Sequence, residues 1–194
     1  MVELVPKDGK PETLTFSEKL SRPSDGKSFE ELSPRNFSFN SPYGACEHCD
    51  GFGTVFEVDA DLVVPDPELT VAQGAISPWA SGHAKFFHRL VEAVGEERDI
   101  DLNTPWEDLP AKARKTLLHG TTKKVQVQFK NRYGRTRSYQ ANFEGAIPYL
   151  RRRHGEADSD WAREQAESYM RQVACPHCDG ARLNPLALAV TLDG

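Results

Sequence analysis

Apolar and polar residues alternate along one stretch of the chain. Val125, Val127 and Phe129 alternate with polar neighbours, which predicts a half-buried strand. The letters NRYG that follow Lys130 predict a turn, and RTRSYQA predicts the second strand of a hairpin. Shorter strands are predicted at LTFSE near the N-terminus, at FSFN (37–40) and in TVFEVDADLVV.

Apolar residues at helical spacing predict a helix before the hairpin. Phe86, Leu90 and Val94 lie four residues apart, so we expect one face of a helix that begins near Gly82. Gly95 is placed to end that helix, because glycine readily takes the backbone conformation of a C-terminal cap.

Three further helix signals come from capping residues and a proline. Asp66 is a candidate N-cap, and Thr104 with Glu107 three residues later predicts a helix that ends at Gly120. The segment NFEGAIPYLRRRH predicts a helix interrupted at Pro148.

The last predicted helix leads into the second cysteine pair. Asp158 or Ser159 is placed to cap it. Its inward face is predicted to carry five residues: Trp161, Ala162, Ala166, Tyr169 and Val173. Trp79, Trp106 and Trp161 are interpreted as core or interface residues.

Composition excludes several classes of protein. The 194 residues are 38% hydrophobic and 27% charged, as in ordinary globular proteins. No apolar run approaches the roughly 20 residues that span a membrane, and MVELVPKDGK lacks the apolar core of a signal peptide. We therefore expect a cytosolic protein without a membrane partner.

The cysteines carry the strongest chemical signal. All four lie in C-x-x-C pairs, at Cys46 and Cys49 and at Cys175 and Cys178. Two such pairs supply the four thiolates of a closed tetrahedral zinc shell, and a closed shell is structural because catalysis needs an open position. We predict one structural zinc ion, with His48 and His177 pointing outward as non-ligands. Two reducible dithiols, or unrelated buried cysteines, are the alternative.

The spacing of the pairs predicts the architecture. The 125 residues between Cys49 and Cys175 far exceed the usual gap in a zinc finger. Because loop-closure entropy grows slowly with length, zinc still holds such a closure. We predict an α+β fold in which a zinc-stabilised neck carries an inserted helix-and-hairpin module.

Charge is distributed very unevenly. Residues 112–153 contain 12 Lys or Arg and one acid, Glu144, for a net +11, whereas the whole chain is −5. Such a block favours contact with phosphate backbones, and a solvated basic face is the alternative. The candidate DNA-binding residues are Lys123, Lys124, Lys130, Arg132, Arg135, Arg137, Arg151, Arg152 and Arg153. No phosphate-binding glycine loop or nucleophile elbow occurs in the sequence, so no catalytic residue is assigned.

Several longer motifs resemble the UvrA family, the damage-sensing ATPase subunits of bacterial excision repair. The matching runs are FSFNSPYGACEHCDGFG, PELTVAQGAISPW, FEGAIPYLRRRH and CPHCDGARLNP. The resemblance covers essentially the whole chain. It implies a signature-domain segment with the first zinc knuckle at 1–66, an insertion domain at 67–172, and the second knuckle with a return strand at 173–194.

The resemblance also implies function. Full-length UvrA proteins bind ATP, dimerise with a second UvrA copy, inspect double-stranded DNA and load UvrB. This chain has no ATP-binding motif and is expected to bind DNA without being an enzyme by itself. Arg22 and Asp25 stand where the family commonly has cysteines, through natural loss or engineering, and the resemblance implies that the UvrB-binding domain, which normally precedes them, is not part of this chain.

Two alternatives to the repair function remain open. CEHCDGFG fits the C-x-x-C-x-G-x-G unit of DnaJ-like co-chaperones, although the second pair departs from it at Ala181 and Arg182. The other is a protein-docking zinc domain whose basic face meets an acidic partner.

Overall fold

A computed structural model describes residues 31–80, 84–130 and 135–191, together with Ser28 and the strand backbones of 2–4 and 12–14. The strands are β1 (Val2–Leu4), β2 (Glu12–Leu14), β3 (Thr54–Val58), β4 (Val125–Lys130), β5 (Thr136–Ala141) and β6 (Met170–Ala174). The α-helices are α1 (Ala60–Val63), α2 (Ala84–Arg98), α3 (Ala111–His119), α4 (Ala146–Gly155), α5 (Asp160–Glu167) and α6 (Pro185–Leu188). This mixture of helices and small sheets confirms the predicted α+β class.

The chain forms two compact units. One combines residues 1–53 with 174–194 and holds both cysteine pairs, and the other comprises residues 54–173. In the first unit, β1 and β2 pair antiparallel, with Val2 opposite Leu14. The positions of Arg22 and Asp25 lie outside the described residues.

The second unit is built around the predicted hairpin. β4 and β5 pair antiparallel with Val127 opposite Tyr139, and Val125 and Val127 are fully buried. Helix α2 packs against β4, while α3 and α5 pack against α4. Leu117 and Phe143 complete the centre of this core. The predicted hairpin strands are confirmed, and the turn between them lies outside the described residues.

Three strand and helix predictions near the first cysteine pair were wrong. FSFN is not a strand: a 3-10 helix covers Pro34–Phe37, where Ser33 N–H donates to Asn36 Oδ1 at 2.9 Å. The strand in 54–64 ends at Val58, because Asp59 accepts from the backbone of Asp61 and starts α1. Asp66 caps no helix and instead accepts from Glu68 N–H within a turn.

Two predicted helix boundaries in the second unit also changed. Helix α2 continues through Gly95 to Arg98, and Asp99 follows with a left-handed φ of 55°. Asp99 thus takes the cap conformation expected of the glycine. Thr104 does not cap a helix; α3 begins after Pro110 and ends, as predicted, before Gly120.

The last two helix predictions were partly wrong. Pro148 does not interrupt α4, because it lies in the first turn, where no backbone N–H is needed. Ser159 caps α5 as expected, but the helix ends at Glu167. Tyr169 follows it, and Val173 belongs to strand β6, which pairs with β3.

Two of the three tryptophans are core residues. Trp79 and Trp106 are buried, whereas Trp161 is 68% exposed. Within the described ranges, no helix combines the length and apolar character needed to cross a bilayer.

Candidate metal centre and nucleic-acid interface

The two cysteine pairs lie in turns with the same backbone conformation. After the first pair, Asp50 and Gly51 have φ values of 50° and 76°; after the second, Asp179 and Gly180 have 47° and 79°. Two successive left-handed residues turn the chain sharply, and aspartate and glycine are among the residues that adopt this region most readily. The sequence repeat C-x-x-C-D-G is therefore also a repeat of conformation.

The four sulfur atoms converge. Cys46 Sγ lies 4.0 Å from Cys175 Sγ, and Cys49 Sγ lies 3.8 Å from Cys178 Sγ. All four sulfurs lie within 4.8 Å of one another. Four sulfurs around one zinc ion at Zn–S of about 2.3 Å would be about 3.8 Å apart, so the cluster has the size to hold a metal ion.

Main-chain contacts join the two turns independently of the sulfurs. Cys46 N–H donates to Arg182 O, and Cys175 N–H donates to Gly53 O, both at 2.9 Å. Arg182 also donates from Nε to Gly51 O at 2.7 Å. The chain segments that supply the two cysteine pairs therefore hold each other in register.

Burial and hydrogen bonding shift two of the thiol pKa values in opposite directions. Burial raises the pKa of Cys178 to about 11. Burial also acts to raise the pKa of Cys175, but N–H groups of Cys178 and His177 and the neighbouring thiols lower it to about 7.

The two histidines of the turns stack on each other. The rings of His48 and His177 lie 4.0 Å apart and nearly parallel, and both residues are exposed. Among the described residues, the cluster of candidate ligands contains only the cysteines, which are 0–5% exposed. A shell of four buried thiols leaves no side open to a substrate, which suits a structural metal ion.

The basic residues lie mainly at the two ends of the hairpin. Lys123 and Lys124 are exposed just before β4, and Arg135 and Arg137 are exposed at the start of β5. Lys130 ends β4, with its side chain outside the described part, and Arg132 lies outside the described residues altogether.

The outer face of the hairpin is not basic along its length. The strand register places mostly neutral side chains on that face: Gln126, Gln128, Ser138 and Gln140. Arg137 instead lies opposite Phe129, on the same face as the buried valines and beyond the end of the core. The positive charge is therefore concentrated at the ends of the hairpin.

The arginine run on α4 divides into two kinds of residue. Arg151 and Arg153 are exposed. Arg152 donates from Nε and Nη2 to Glu144 at 3.1 and 2.6 Å, and from Nη1 to Glu156 at 3.0 Å. These hydrogen bonds to Glu144 and Glu156 raise the pKa of Arg152 above its ordinary value.

One basic residue beside the hairpin was missed by the sequence analysis. Arg89 of α2 places its guanidinium carbon 5.2 Å from the ring centre of Phe129. It precedes the basic block in sequence and joins it only because α2 packs against β4. No periodic or compositional signal in the sequence marks that contact.

The fold and the cysteine cluster define the class of protein: one with an α+β unit inserted in sequence between the two halves of a cluster of four thiols that could hold a metal ion. The chain belongs to the UvrA DNA-binding domain family, whose model matches residues 59–168. This confirms the resemblance on which the family prediction was based.

Individual relatives agree with the family assignment. The chain is 51% identical over 191 residues to UvrABC system protein A of Streptomyces coelicolor, and 52% identical over 181 residues to that of Mycobacterium tuberculosis. These matches cover 98% and 92% of the chain but 19% of each relative. The chain therefore spans about a fifth of the length of the relatives that it matches.

A solved structure has the same fold. The crystal structure of UvrA2 from Deinococcus radiodurans matches with a TM-score of 0.67 and 27% identity. The match covers 92% of this chain and 22% of the other.

Proposed function

We propose that this chain binds double-stranded DNA through the phosphate backbone, without sequence preference, as the DNA-contacting segment of a UvrA-type repair protein in the bacterial cytoplasm. The observation that carries the proposal is the exposed positive charge at the ends of the hairpin, within a domain of the UvrA DNA-binding family. Lysine and arginine at such positions release counterions from DNA and need no contact with base edges.

The contacting residues in this proposal are those predicted from the sequence, with one distinction. Lys123, Lys124, Arg135 and Arg137, together with Lys130 and Arg132, form the main contact. Arg151 and Arg153 extend it from α4. Because Arg152 already donates to two carboxylates, it acts mainly by positioning the segment that leaves the hairpin.

The metal in the cysteine cluster is proposed to be one zinc ion, bound by Cys46, Cys49, Cys175 and Cys178. Four thiolates of this spacing match the donor set of structural zinc sites. The domain division is likewise a proposal: a signature-domain segment at 1–66, an insertion domain at 67–172 and a return segment at 173–194. The compact units divide at Gly53 and Ala174.

Proposals for the full-length protein follow from its relatives. They are ATP binding and hydrolysis, pairing of two UvrA copies and loading of UvrB, all through parts outside this chain. We propose that this chain is not an enzyme by itself. An ATPase assay of the purified chain should give the rate of a buffer blank, and turnover above that blank would contradict this part of the proposal.

The test of DNA binding is fluorescence anisotropy with a labelled duplex over a series of salt concentrations. The parent chain should bind several unrelated duplexes equally, with affinity decreasing steeply as salt rises. The double variant K123Q/K124Q should bind more weakly, with a salt slope shallower by roughly 2. Its matched control is R98Q/R163Q, which removes the same charge from exposed residues outside the basic block.

The possible outcomes of this test distinguish the DNA-binding proposal from its alternatives. Equal affinities for K123Q/K124Q and R98Q/R163Q would contradict the assignment of the lysines. No binding by the parent chain at low salt would contradict the DNA-binding proposal and favour docking of an acidic protein. Suppression of aggregation of an unfolded client would favour the co-chaperone alternative.

A further inference from the structure

The exposed aromatic residue at the start of α2 departs from the pattern of its own helix. Leu90 and Val94 are 4% and 0% exposed, whereas Phe86, the first of the three residues at that spacing, is 50% exposed. The apolar pattern of the helix therefore extends one turn beyond the core. Half of the surface of Phe86 therefore remains accessible to a ligand.

The ring of Phe86 is supported from behind by other aromatic rings. It lies edge-on to Phe87, with ring centres 5.4 Å apart. Phe87 stacks on Trp79 at 5.3 Å, with an angle of 9° between the planes, and lies edge-on to Tyr149 at 4.9 Å. Because Trp79 is buried, this chain of rings links Phe86 to the core and limits its movement.

Positive charge adjoins this ring. Arg89 lies three residues after Phe86, which places the two on one side of α2. Arg89 is exposed, and its guanidinium lies over Phe129 of β4. Phe129 is opposite Arg137 in the hairpin. Phe86 thus shares one side of α2 with Arg89, whose guanidinium reaches the part of the hairpin where Arg137 lies opposite Phe129.

We propose that Phe86 and Arg89 form a base-stacking subsite, in which Phe86 stacks on an unpaired nucleobase and Arg89 contacts the adjacent phosphate. The ligand class is DNA with locally unpaired bases, because a base inside an intact duplex has no free face for the ring. This inference rests on the proposed DNA binding. It adds a preference for opened over intact duplex that the basic residues alone would not give.

Another exposed aromatic residue of this unit, Trp161, provides a contrast. Trp161 is 68% exposed on α5, but residues 158–164 around it contain three acids, Asp158, Asp160 and Glu164, and a single base, Arg163. Phosphate would be repelled there. Trp161 is therefore the matched control: a large exposed ring in a stretch of sequence where acids outnumber bases.

The experiment compares two labelled DNAs of equal length, an intact duplex and one with a central run of mismatched bases. The mismatched bases include 2-aminopurine, whose fluorescence is quenched when it stacks on an aromatic ring. Removal of one stacking ring is expected to weaken binding of the mismatched DNA about 5- to 100-fold in F86A. Binding of the intact duplex should change less than twofold, and W161A should match the parent chain on both DNAs.

Two conservative variants separate stacking from simple apolar contact. F86Y retains a ring and should keep both the preference and the quenching, whereas F86L retains apolar volume and should lose both. F86A or F86L with unchanged preference and quenching would overturn the subsite. If the parent chain bound neither DNA, the DNA-binding proposal itself would be wrong. If it bound both equally, only the subsite would be wrong.

Discussion

Gly120 and Gly145 bring their backbones into contact at the base of the hairpin. Both have a φ of 82°, and a Cβ atom added to Gly145 would lie 2.6 Å from the carbonyl carbon of His119. Next to this contact, Thr121 N–H donates to Phe143 O at 2.8 Å. The two glycines therefore close the loop that contains the hairpin, and they fix where its basic ends lie relative to the core.

Replacement of one of these glycines should be costly. In G145A the methyl group meets backbone atoms that cannot move aside, and alanine resists a positive φ. We expect a loss of about 2 kcal/mol or more, seen as a decrease in Tm of roughly 4–8 °C.

The control for this variant is G155A at the end of α4. Nothing lies within 4 Å of a Cβ added to Gly155, and its φ is not in the left-handed region. It should leave Tm unchanged or raise it slightly, because alanine favours the helix. Equal Tm values for G145A and G155A would show that the glycine contact is not needed.

The extent to which these features could be predicted depends on how local they are. The cysteine turns were predictable because C-x-x-C-D-G fixes their conformation within a few residues, and Val125 and Val127 predicted a strand by simple alternation. The contact of Gly120 with Gly145 joins residues far apart in sequence, so only the assembled core creates it. The exposure of Phe86 could not be predicted either, because periodicity marks a face and not where the core ends.

The cysteine cluster makes a clear prediction about metal content. The parent chain should contain one zinc ion, and C175S should contain none, because Cys175 is fully buried in the cluster and serine is a poor zinc ligand. Zinc in small sites contributes roughly 10–16 kcal/mol, so C175S and the chelated parent should both lose much of their thermal stability. Elemental analysis and thermal unfolding measure the two effects.

The stacked histidines supply the control for the metal ligands. H48A/H177A removes both exposed rings and should keep one zinc per chain. Loss of zinc in that variant would show that a histidine is a ligand. A full zinc content in C175S would contradict the four-thiol site.

Arg182 is expected to raise metal affinity without touching the metal. Its Nε donates to Gly51 O, and its guanidinium carbon lies 3.5 Å from the ring centre of Phe39. R182A should therefore loosen the first cysteine turn and weaken zinc binding by about 10- to 100-fold, as loss of outer contacts does in other metal sites. Competition with a coloured chelator measures this. R35A removes a similar contact, with Tyr43, but no hydrogen bond to Gly51 O, and should leave the affinity unchanged. Equal effects of R182A and R35A would exclude the proposed role.

Arg152 should contribute to stability and little to DNA binding. Its guanidinium is hydrogen-bonded to Glu144, which directly precedes Gly145, and to Glu156 at the end of α4. The pair with Glu144 is partly exposed, so we expect R152Q and E144Q each to lower the free energy of unfolding by no more than about 1 kcal/mol.

Because the charge of Arg152 is already balanced by two carboxylates, R152Q should leave the salt slope of DNA binding unchanged, whereas K124Q should reduce it by roughly 1. Thermal unfolding and anisotropy on the same preparations test both statements. An R152Q slope as shallow as that of K124Q would instead place Arg152 among the DNA contacts.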